Sequence, residues 1–324
     1  LFKQNSFWRI MRNFFLIITI SILLSNYGYT KDIPKKYLDK NYIFKAEKKI
    51  RWTEKTGGWG KPETHDRLSQ NPWNLRYETE IIRDGKYSLR FEMRDGDCHS
   101  GDCPRGTKKG SVGRAEVGFH KPFNKKYRGD HGEIWYAWSM YLPKDTSYID
   151  GAWTILGQFK EIRGSKYRNK KYKECKDDEV GLRLGFRLQE EGLELFRETC
   201  YISGNNNTPK YKTEEQIIIQ QSELKNKRNQ WLDFLMHVNW SFEKDGFINL
   251  WVNKNKLYEH KGINSSIPVI HDGKKPGVSF RFGIYNGKRY DPVKPQIVYY
   301  DSFKRGATCK KTAMWHDCEN LPKN

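Results

Sequence analysis

The residues Phe-Arg-Phe-Gly-Ile-Tyr-Asn at 280–286 alternate between apolar and polar or small side chains. Successive side chains of a β-strand point to opposite faces, so Arg281, Gly283 and Tyr285 are predicted to share one face. A cation, an open position and a phenol in one row could hold an anion and move a proton. The alternative is an ordinary solvated strand face, and the neighbouring segments decide between the two.

Two further segments repeat this division into a polar and an apolar face. In Arg-Ala-Glu-Val-Gly-Phe-His at 114–120, the residues Arg114, Glu116 and His120 share a face. The third segment is Trp-Thr-Ile-Leu-Gly-Gln-Phe-Lys-Glu at 153–161. Its predicted polar residues are Gln158 and Lys160, and its predicted apolar residues are Ile155, Gly157 and Phe159.

Alternation extends along most of the chain, and turn residues separate the alternating segments. It predicts an all-β fold, a jelly roll or concanavalin-like sandwich of two antiparallel sheets. The segment 203–230 is interpreted as a long surface connection with a strand at Gln-Ile-Ile-Ile-Gln-Gln or a short helix around Thr-Glu-Glu-Gln. The predicted strands are 87–94, 114–120, 133–143, 153–161, 181–189, 193–201, 231–242, 247–260, 278–285 and 296–306.

The first thirty residues are typical of an export signal. Basic residues beside Met11, the expected true start, precede a short apolar run and a polar segment with small residues. The run is shorter than the roughly 20 residues that cross a bilayer. We therefore expect a leader at 1–30 and a single secreted or periplasmic domain at 31–324, without stable membrane insertion.

Six cysteines in an exported chain favour disulfides. A zinc site is the alternative, but no CxxC spacing is present. Proximity in sequence suggests three pairs, although other connectivities are open. The suggested pairs are Cys98 with Cys103, Cys175 with Cys200, and Cys309 with Cys318.

The charge and the aromatic content favour an anionic partner. The formal net charge is +20, and aromatic residues make up 15% of the chain. Basic exported proteins bind acidic polysaccharides, nucleic acids or anionic envelopes, and charge alone does not choose among them.

The three polar-faced segments, taken in order, resemble the signature strands of jelly-roll polysaccharide lyases. They are similar to the Arg-x-Glu-Leu, Gln-x-His and Tyr-Phe-Lys-x-Gly-x-Tyr-Asn elements of the family 7 alginate lyases. The closer likeness is to the heparin lyase I and glucuronan lyase group. It rests also on Ser-Leu-Arg-Phe-Glu-Met-Arg-Asp-Gly-Asp, Trp-Tyr-Ala-Trp-Ser-Met-Tyr-Leu-Pro-Lys-Asp and Tyr-Tyr-Asp-Ser-Phe-Lys-Arg-Gly, and it spans residues 80–306.

This resemblance implies cleavage of a uronic-acid polymer by β-elimination. The C5 proton becomes acidic when the adjacent carboxylate is neutralised or hydrogen-bonded. Arg114 and Gln158 match the groups that do this in the family. Tyr285 matches the tyrosine that serves as base, acid or both, and a nearby cation favours the phenolate form of a tyrosine. Arg281, two pleats away on the same face, is the cation expected to reach it.

The chain departs from the family pattern at Lys160, where many relatives carry histidine. A lysine can neutralise a carboxylate but is a poor base unless its pKa is strongly lowered. Either a histidine elsewhere enters the site or Tyr285 acts alone, and we count Lys160 among the candidate catalytic residues. The candidate histidines are His99, His120 and His131. The residues expected to bind substrate are Arg281, Glu116, His120 and His131, with Glu116 also a candidate for orienting Arg114.

The acidic segment at 95–103 is a candidate calcium site, since calcium dependence occurs among heparin lyases. Its possible ligands are Asp95, Asp97 and Asp102. The alternative is a disulfide-closed acidic turn, and we expect that no cofactor is required.

Other functions fit less well. A non-catalytic carbohydrate-binding sandwich for acidic glycans is the main alternative, because of Lys160. A retaining glycoside hydrolase of this architecture would need a Glu-x-Asp-x-x-Glu pattern, which is absent. A nucleic-acid binder would explain the charge but not the ordered segments. We expect a monomer that binds an anionic polysaccharide and no nucleic acid.

Overall fold

The computed structural model describes residues 63–68, 73–94, 97, 112–118, 127, 129–146, 153–162, 183–203, 208–265, 277–288 and 295–322. Within these ranges the protein is a sandwich of two seven-stranded sheets, in which all paired strands are antiparallel. The predicted jelly-roll class is confirmed.

The order of strands in space differs from their order in the chain, so the strands that carry the polar segments become neighbours. The first sheet runs β1 (Glu63–Leu68), β4 (Val112–Gly118), β13 (Gly277–Lys288), β6 (Thr154–Ile162), β7 (Arg183–Gln189), β8 (Gly192–Ser203) and β9 (Thr208–Gln220). The second runs β12 (Asn255–Lys261), β11 (Phe247–Val252), β10 (Trp231–Trp240), β5 (Gly132–Tyr141), β14 (Gln296–Gly306), β3 (Ser88–Met93) and β2 (Leu75–Glu78). The described residues also form two helices, α1 (Gln221–Asn226) and α2 (Cys309–Thr312).

Aromatic side chains from both sheets fill the space between them. Phe282 of β13 meets Phe91 of β3 edge-on at 5.7 Å. On the second sheet, Trp138 stacks on Phe234 at 4.8 Å. Rings of this size bury a large apolar area at low conformational cost, so the core holds the outward-facing polar rows in place.

Two predicted elements are corrected by the structure. The predicted strand 247–260 is a hairpin, because Asn253 and Lys254 both have positive φ, 47° and 72°, as a two-residue I′ turn requires. The segment 203–230 contains the 13-residue β9, which confirms the strand predicted at Gln-Ile-Ile-Ile-Gln-Gln as far as Gln220; the alternative of a helix at Thr-Glu-Glu-Gln is wrong. The side chains of Ile218 and Ile219 are buried in the core, and β9 is hydrogen-bonded to β8 along its length. This pairing keeps the polar part of β9 in the sheet.

The C-terminal segment packs on the outer face of the second sheet. A disulfide joins Cys309 to Cys318, which confirms one predicted pair. Trp315 donates its indole N–H to Ser139 Oγ at 3.2 Å and stacks under the guanidinium of Arg83. The C-terminal segment thereby covers part of the outer face of the second sheet.

Several predictions lie outside the described residues. They are the leader with Met11, His99, His120, Asp95, Asp102, Cys98, Cys103, Cys175 and the side chain of Cys200. Within the described ranges, no helix is long and apolar enough to span a membrane.

A buried ion pair connects the two sheets at one end of the sandwich. Arg305 Nη1 donates to both carboxylate oxygens of Asp130, at 2.5 and 2.7 Å. The hydroxyl of Tyr136 donates to the same carboxylate at 2.8 Å. The backbone of Asp130 bonds to Val278 of the first sheet. Both charged side chains are 2% exposed, so each depends on the other for compensation.

Replacing Arg305 with Met leaves the carboxylate of Asp130 buried without its cation. We expect the free energy of unfolding to fall by about 3 to 5 kcal/mol, measured by urea denaturation. The double variant Asp130→Leu/Arg305→Met removes both charges and should recover part of the loss. A double variant less stable than the single one would contradict this account.

His316 in the C-terminal segment predicts a pH dependence of stability. Burial lowers its pKa to about 4, although Asp233 opposes the effect. An unfolded histidine titrates near 6.5, so the unfolded chain binds this proton first as the pH falls. Stability is therefore present above about pH 6.5 and is lost as the pH falls towards 4, by on the order of 2 to 3 kcal/mol. His316→Gln should flatten this part of the urea-denaturation profile, and an unchanged slope would count against it.

Candidate active site

The predicted catalytic residues lie on three adjacent strands of the first sheet. β13 is in the middle, with β4 on one side and β6 on the other. Phe280, Phe282 and Ile284 are at most 1% exposed and point into the core. The alternating residues of β13 therefore point away from the core, and the polar row is the outer face of this sheet.

Tyr285 is held between a cation and a second aromatic ring. Its register partners are Arg114 on β4 and Ile155 on β6. The guanidinium carbon of Arg114 lies 3.8 Å from the centre of the Tyr285 ring. The indole of Trp153 meets that ring edge-on at 4.6 Å. Arg114 is buried and Tyr285 is half-buried, so the phenol is the more accessible of the two.

Glu116 connects β4 with β6 across the intervening β13. Gln158 Nε2 donates to Glu116 Oε1 at 2.6 Å. Arg114 Nη1 lies 3.6 Å from Glu116 Oε2. Glu116 is 2% exposed and Gln158 is 1% exposed. A carboxylate this deeply buried needs a cation and a donor, so it holds Arg114 and Gln158 in defined positions.

Arg281 and Lys160 lie further along the same face. Arg281 is the register partner of Gln158, and Lys160 is the partner of Ser279. Lys160 is five residues from Ile155 on β6, or about 16 Å of strand. The structure thus places Lys160 away from Tyr285, and the cation against the Tyr285 ring is Arg114, where sequence reasoning expected Arg281. A single sequence does not reveal which strands pair, so this stack was missed.

Two irregularities in the strands determine the direction in which these side chains point. The β13 register shifts between Phe282 and Tyr285, where Gly283 has φ of +128°. A Cβ at Gly283 would lie 2.1 Å from the carbonyl oxygen of Ala115. The glycine therefore permits close pairing with β4, a backbone role that alternation alone does not reveal.

A second shift occurs on β6 between Ile155 and Gly157. It places Leu156 in the core cluster and turns Ile155 towards the face of Tyr285. Ile155 is 1% exposed, as expected of an apolar residue, but it lies in register with the outward-facing Tyr285, which was not predicted. The extra residue of the bulge reverses the alternation at this point.

Of the candidate histidines, His131 lies within the described residues. Its ring stacks on Tyr127 at 4.2 Å and faces Phe242 at 5.9 Å. The adjacent Asp130 pairs with Val278, seven residues before Tyr285 and about 23 Å along the strand. The structure does not bring His131 to Tyr285.

Asp97 serves as a structural acceptor. Its Oδ2 accepts hydrogen bonds from Trp73 Nε1, Asn74 Nδ2 and the backbone N–H of Arg94, at 2.9, 2.9 and 2.8 Å. In the described ranges no three acidic, histidine or cysteine residues form a group that could hold a metal.

Trp153 was not predicted as part of the site. Its backbone carbonyl accepts from Gly287 at 2.8 Å, and a Cβ at Gly287 would lie 2.8 Å from the indole. The tryptophan is therefore fitted against β13 beside Tyr285. In the sequence, Trp153 stands at the start of the segment that carries Gln158 and Lys160. Its contact with Gly287 and Tyr285 depends on strand pairing, which the sequence does not show.

The chain matches a family model described as polysaccharide lyase over residues 51–304. It belongs to this family and is a polysaccharide lyase. A comparison with curated proteins gives no match.

Several solved structures are similar to this chain at low sequence identity. The chain is similar to the endo-beta-1,4-glucuronan lyase of the fungus Trichoderma reesei, with 14% identity and a TM-score of 0.51, over 77% of this chain and 93% of that one. It is also similar to alginate lyase A1-II′ of polysaccharide lyase family 7, with 14% identity and a TM-score of 0.39, over 71% and 82%. Alginate lyase Aly36B has 12% identity and a TM-score of 0.40, over 73% and 84%.

Replacing Gly283 with Ala tests the strand irregularity. The new Cβ meets the Ala115 carbonyl and the backbone is strained, so we expect a loss of about 1 to 3 kcal/mol in the free energy of unfolding. The rate of polymer cleavage should fall as well, because Tyr285 moves.

Gly157→Ala is the matched control, since its Cβ would find its nearest neighbours at 3.6 Å. Urea denaturation and initial rates compare the two variants. Equal behaviour of the two would show that the Gly283 bulge does not position the site.

Proposed function

We propose that this polysaccharide lyase is exported and cleaves a uronic-acid-containing anionic polysaccharide by β-elimination at Tyr285. The observation that carries the proposal is the half-buried phenol of Tyr285, packed against Arg114 and Trp153 beside the Glu116–Gln158 hydrogen bond.

The reaction requires one proton removal and one proton donation. A base takes the proton from C5, the electron pair forms the C4–C5 double bond, and the C4–O4 bond breaks. The leaving O4 takes a proton from an acid. Charge develops on the uronate carboxylate during the first step, and its stabilisation is the largest contribution expected from the protein.

Tyr285 is the group proposed to take the C5 proton and to protonate O4. The guanidinium of Arg114 packs against the face of this ring and holds the phenol in place. In this arrangement Arg114 acts on Tyr285 rather than directly on the substrate, because its guanidinium lies against the face of the Tyr285 ring.

Arg281 and Gln158 are proposed to receive the uronate carboxylate. They are register partners on the same face, and Arg281 is half-buried while Gln158 lies at the base of the face. The Gln158 amide carries two N–H groups, of which Glu116 takes one and the other can reach an anion. Lys160 further along the face would attract a neighbouring acidic sugar.

The net charge of +20 supports an anionic polymer. Polyglucuronate is the first polymer to test, because a glucuronan lyase shares the fold. Export is supported by the leader pattern and by the disulfide between Cys309 and Cys318, a bond that persists in oxidising compartments. Calcium is proposed as dispensable, and addition of a chelator should leave the rate unchanged.

The test is the ultraviolet absorbance of the 4,5-double bond. Purified protein is offered polyglucuronate, alginate, heparin and heparan sulfate, with and without calcium. We expect one polymer to give rising absorbance, and Tyr285→Phe to lower the rate by roughly 10²- to 10⁴-fold. Tyr141→Phe, a half-exposed tyrosine of the second sheet, is the control and should keep the parent rate.

A Tyr285→Phe variant with the parent rate would contradict the assignment of Tyr285. Salt-sensitive binding without absorbance on any polymer would favour the alternative of a carbohydrate-binding sandwich that has lost the chemistry.

A further inference from the structure

A pocket of about 400 Å³ opens on the outer face of the second sheet, away from Tyr285. We call it the His237 pocket. Met236 and Val238 point into the core on either side of His237, so His237 points outward. The pocket is lined by His237, Lys244, Asp245, Phe247, Asn249 and Lys261.

Its aromatic wall is rigidly supported. His237 stacks on Trp135 with ring centres 3.8 Å apart, and Phe247 meets it edge-on at 4.7 Å. His237 Nε2 lies 2.7 Å from Glu133 Oε1. Trp135 also lies parallel to Trp251, at 6.1 Å. Flat, preorganised rings of this kind take the C–H face of a sugar at low entropic cost.

The polar groups of the pocket are positioned for an acidic ligand. The amide of Asn249 lies in register with His237, and Lys261 with Phe247. Lys244 is exposed and makes no salt bridge within the described part of the chain. The carboxylate of Asp245 already accepts from Ser241 Oγ at 2.5 Å. Asp245 keeps its negative charge, so Lys244 and Lys261 are two cations beside one lining carboxylate, and Glu259 pairs with Lys261 at 2.9 Å.

His237 supplies a hydrogen-bonding group rather than a charge. Burial lowers its pKa, while the carboxylate of Glu133 opposes this effect. Near pH 7 the ring is neutral, which suits stacking and a single hydrogen bond to a sugar hydroxyl.

We propose that the His237 pocket is a second, non-catalytic binding site for an acidic polysaccharide. The inference rests on the proposed function, because the same polymer is expected to be cleaved on the opposite face. A chain held at both sites has a raised effective concentration at Tyr285, whereas a tetrasaccharide is too short to gain from this.

The test reverses the charges in Lys244→Glu/Lys261→Glu. A matched control, Lys225→Glu/Lys310→Glu, makes the same change in net charge on the exposed surfaces of α1 and α2. Binding to polyglucuronate and alginate is measured by affinity gel electrophoresis in the Tyr285→Phe chain, which should not consume the polymer. We expect the pocket variant to lose at least fivefold in affinity and the control less than twofold.

Phe247→Ala, with its fold checked by thermal unfolding, tests the aromatic wall and should weaken binding similarly. In the chain with Tyr285 intact, the Lys244→Glu/Lys261→Glu variant should raise KM on the polymer severalfold, with unchanged kcat and unchanged KM on the tetrasaccharide.

If the pocket variants bind the polymer with the same affinity as the control variant, the inference is overturned. The lyase assignment stands in that case if the parent protein still forms double bonds in the polymer. A parent chain that cleaves nothing but binds polymer through the pocket overturns the proposed function alone. A parent that binds no polymer overturns the inference.

Discussion

The buried carboxylate of Glu116 is the constraint on which the arrangement of the site depends. At 2% exposure it must be compensated inside the protein, and it takes a hydrogen bond from Gln158 on one strand and the charge of Arg114 on its own. The Gln158 contact crosses β13, so it also helps to hold that strand between β4 and β6. Tyr285 then rests on the guanidinium that Glu116 has oriented. A change at Glu116 would therefore disturb three strands and the phenol together.

Buried charged side chains are paired with opposite charges at other places in the sandwich as well. Asp130 and Arg305 connect the ends of the two sheets. Beneath the C-terminal segment, Arg83 donates two hydrogen bonds to the carboxylate of Asp233. The core between the sheets is aromatic and apolar, and the polar clusters sit at its borders. The two outer faces are thus supported separately: the first carries Tyr285, and the second carries the His237 pocket and the C-terminal cover.

Much of this architecture could be predicted from residue alternation. The inward direction of Phe280 and Phe282, and the common face of Arg281 and Tyr285, follow from the period of a strand and are observed. The outward register of Ile155 was not predicted, because a bulge adds a residue to β6 and the bulge is not visible in the alternation. The Arg114–Tyr285 stack could not be predicted, because it depends on the register between residues 171 positions apart in sequence. The resemblance in three short segments identified the lyase family, but not the contacts within the site.

The central claim is that the sugar to be cleaved lies over Tyr285 with its carboxylate towards Gln158 and Arg281. A crystal structure of the Tyr285→Phe protein with a bound oligoglucuronate would test it most directly. The account predicts the C5 atom of one sugar within about 4 to 6 Å of the para carbon of the introduced ring, a distance that leaves room for the missing hydroxyl. The carboxylate of that sugar should contact Arg281 or the Gln158 amide. A sugar bound with its carboxylate at other residues, or with Tyr285 outside its reach, would contradict the account.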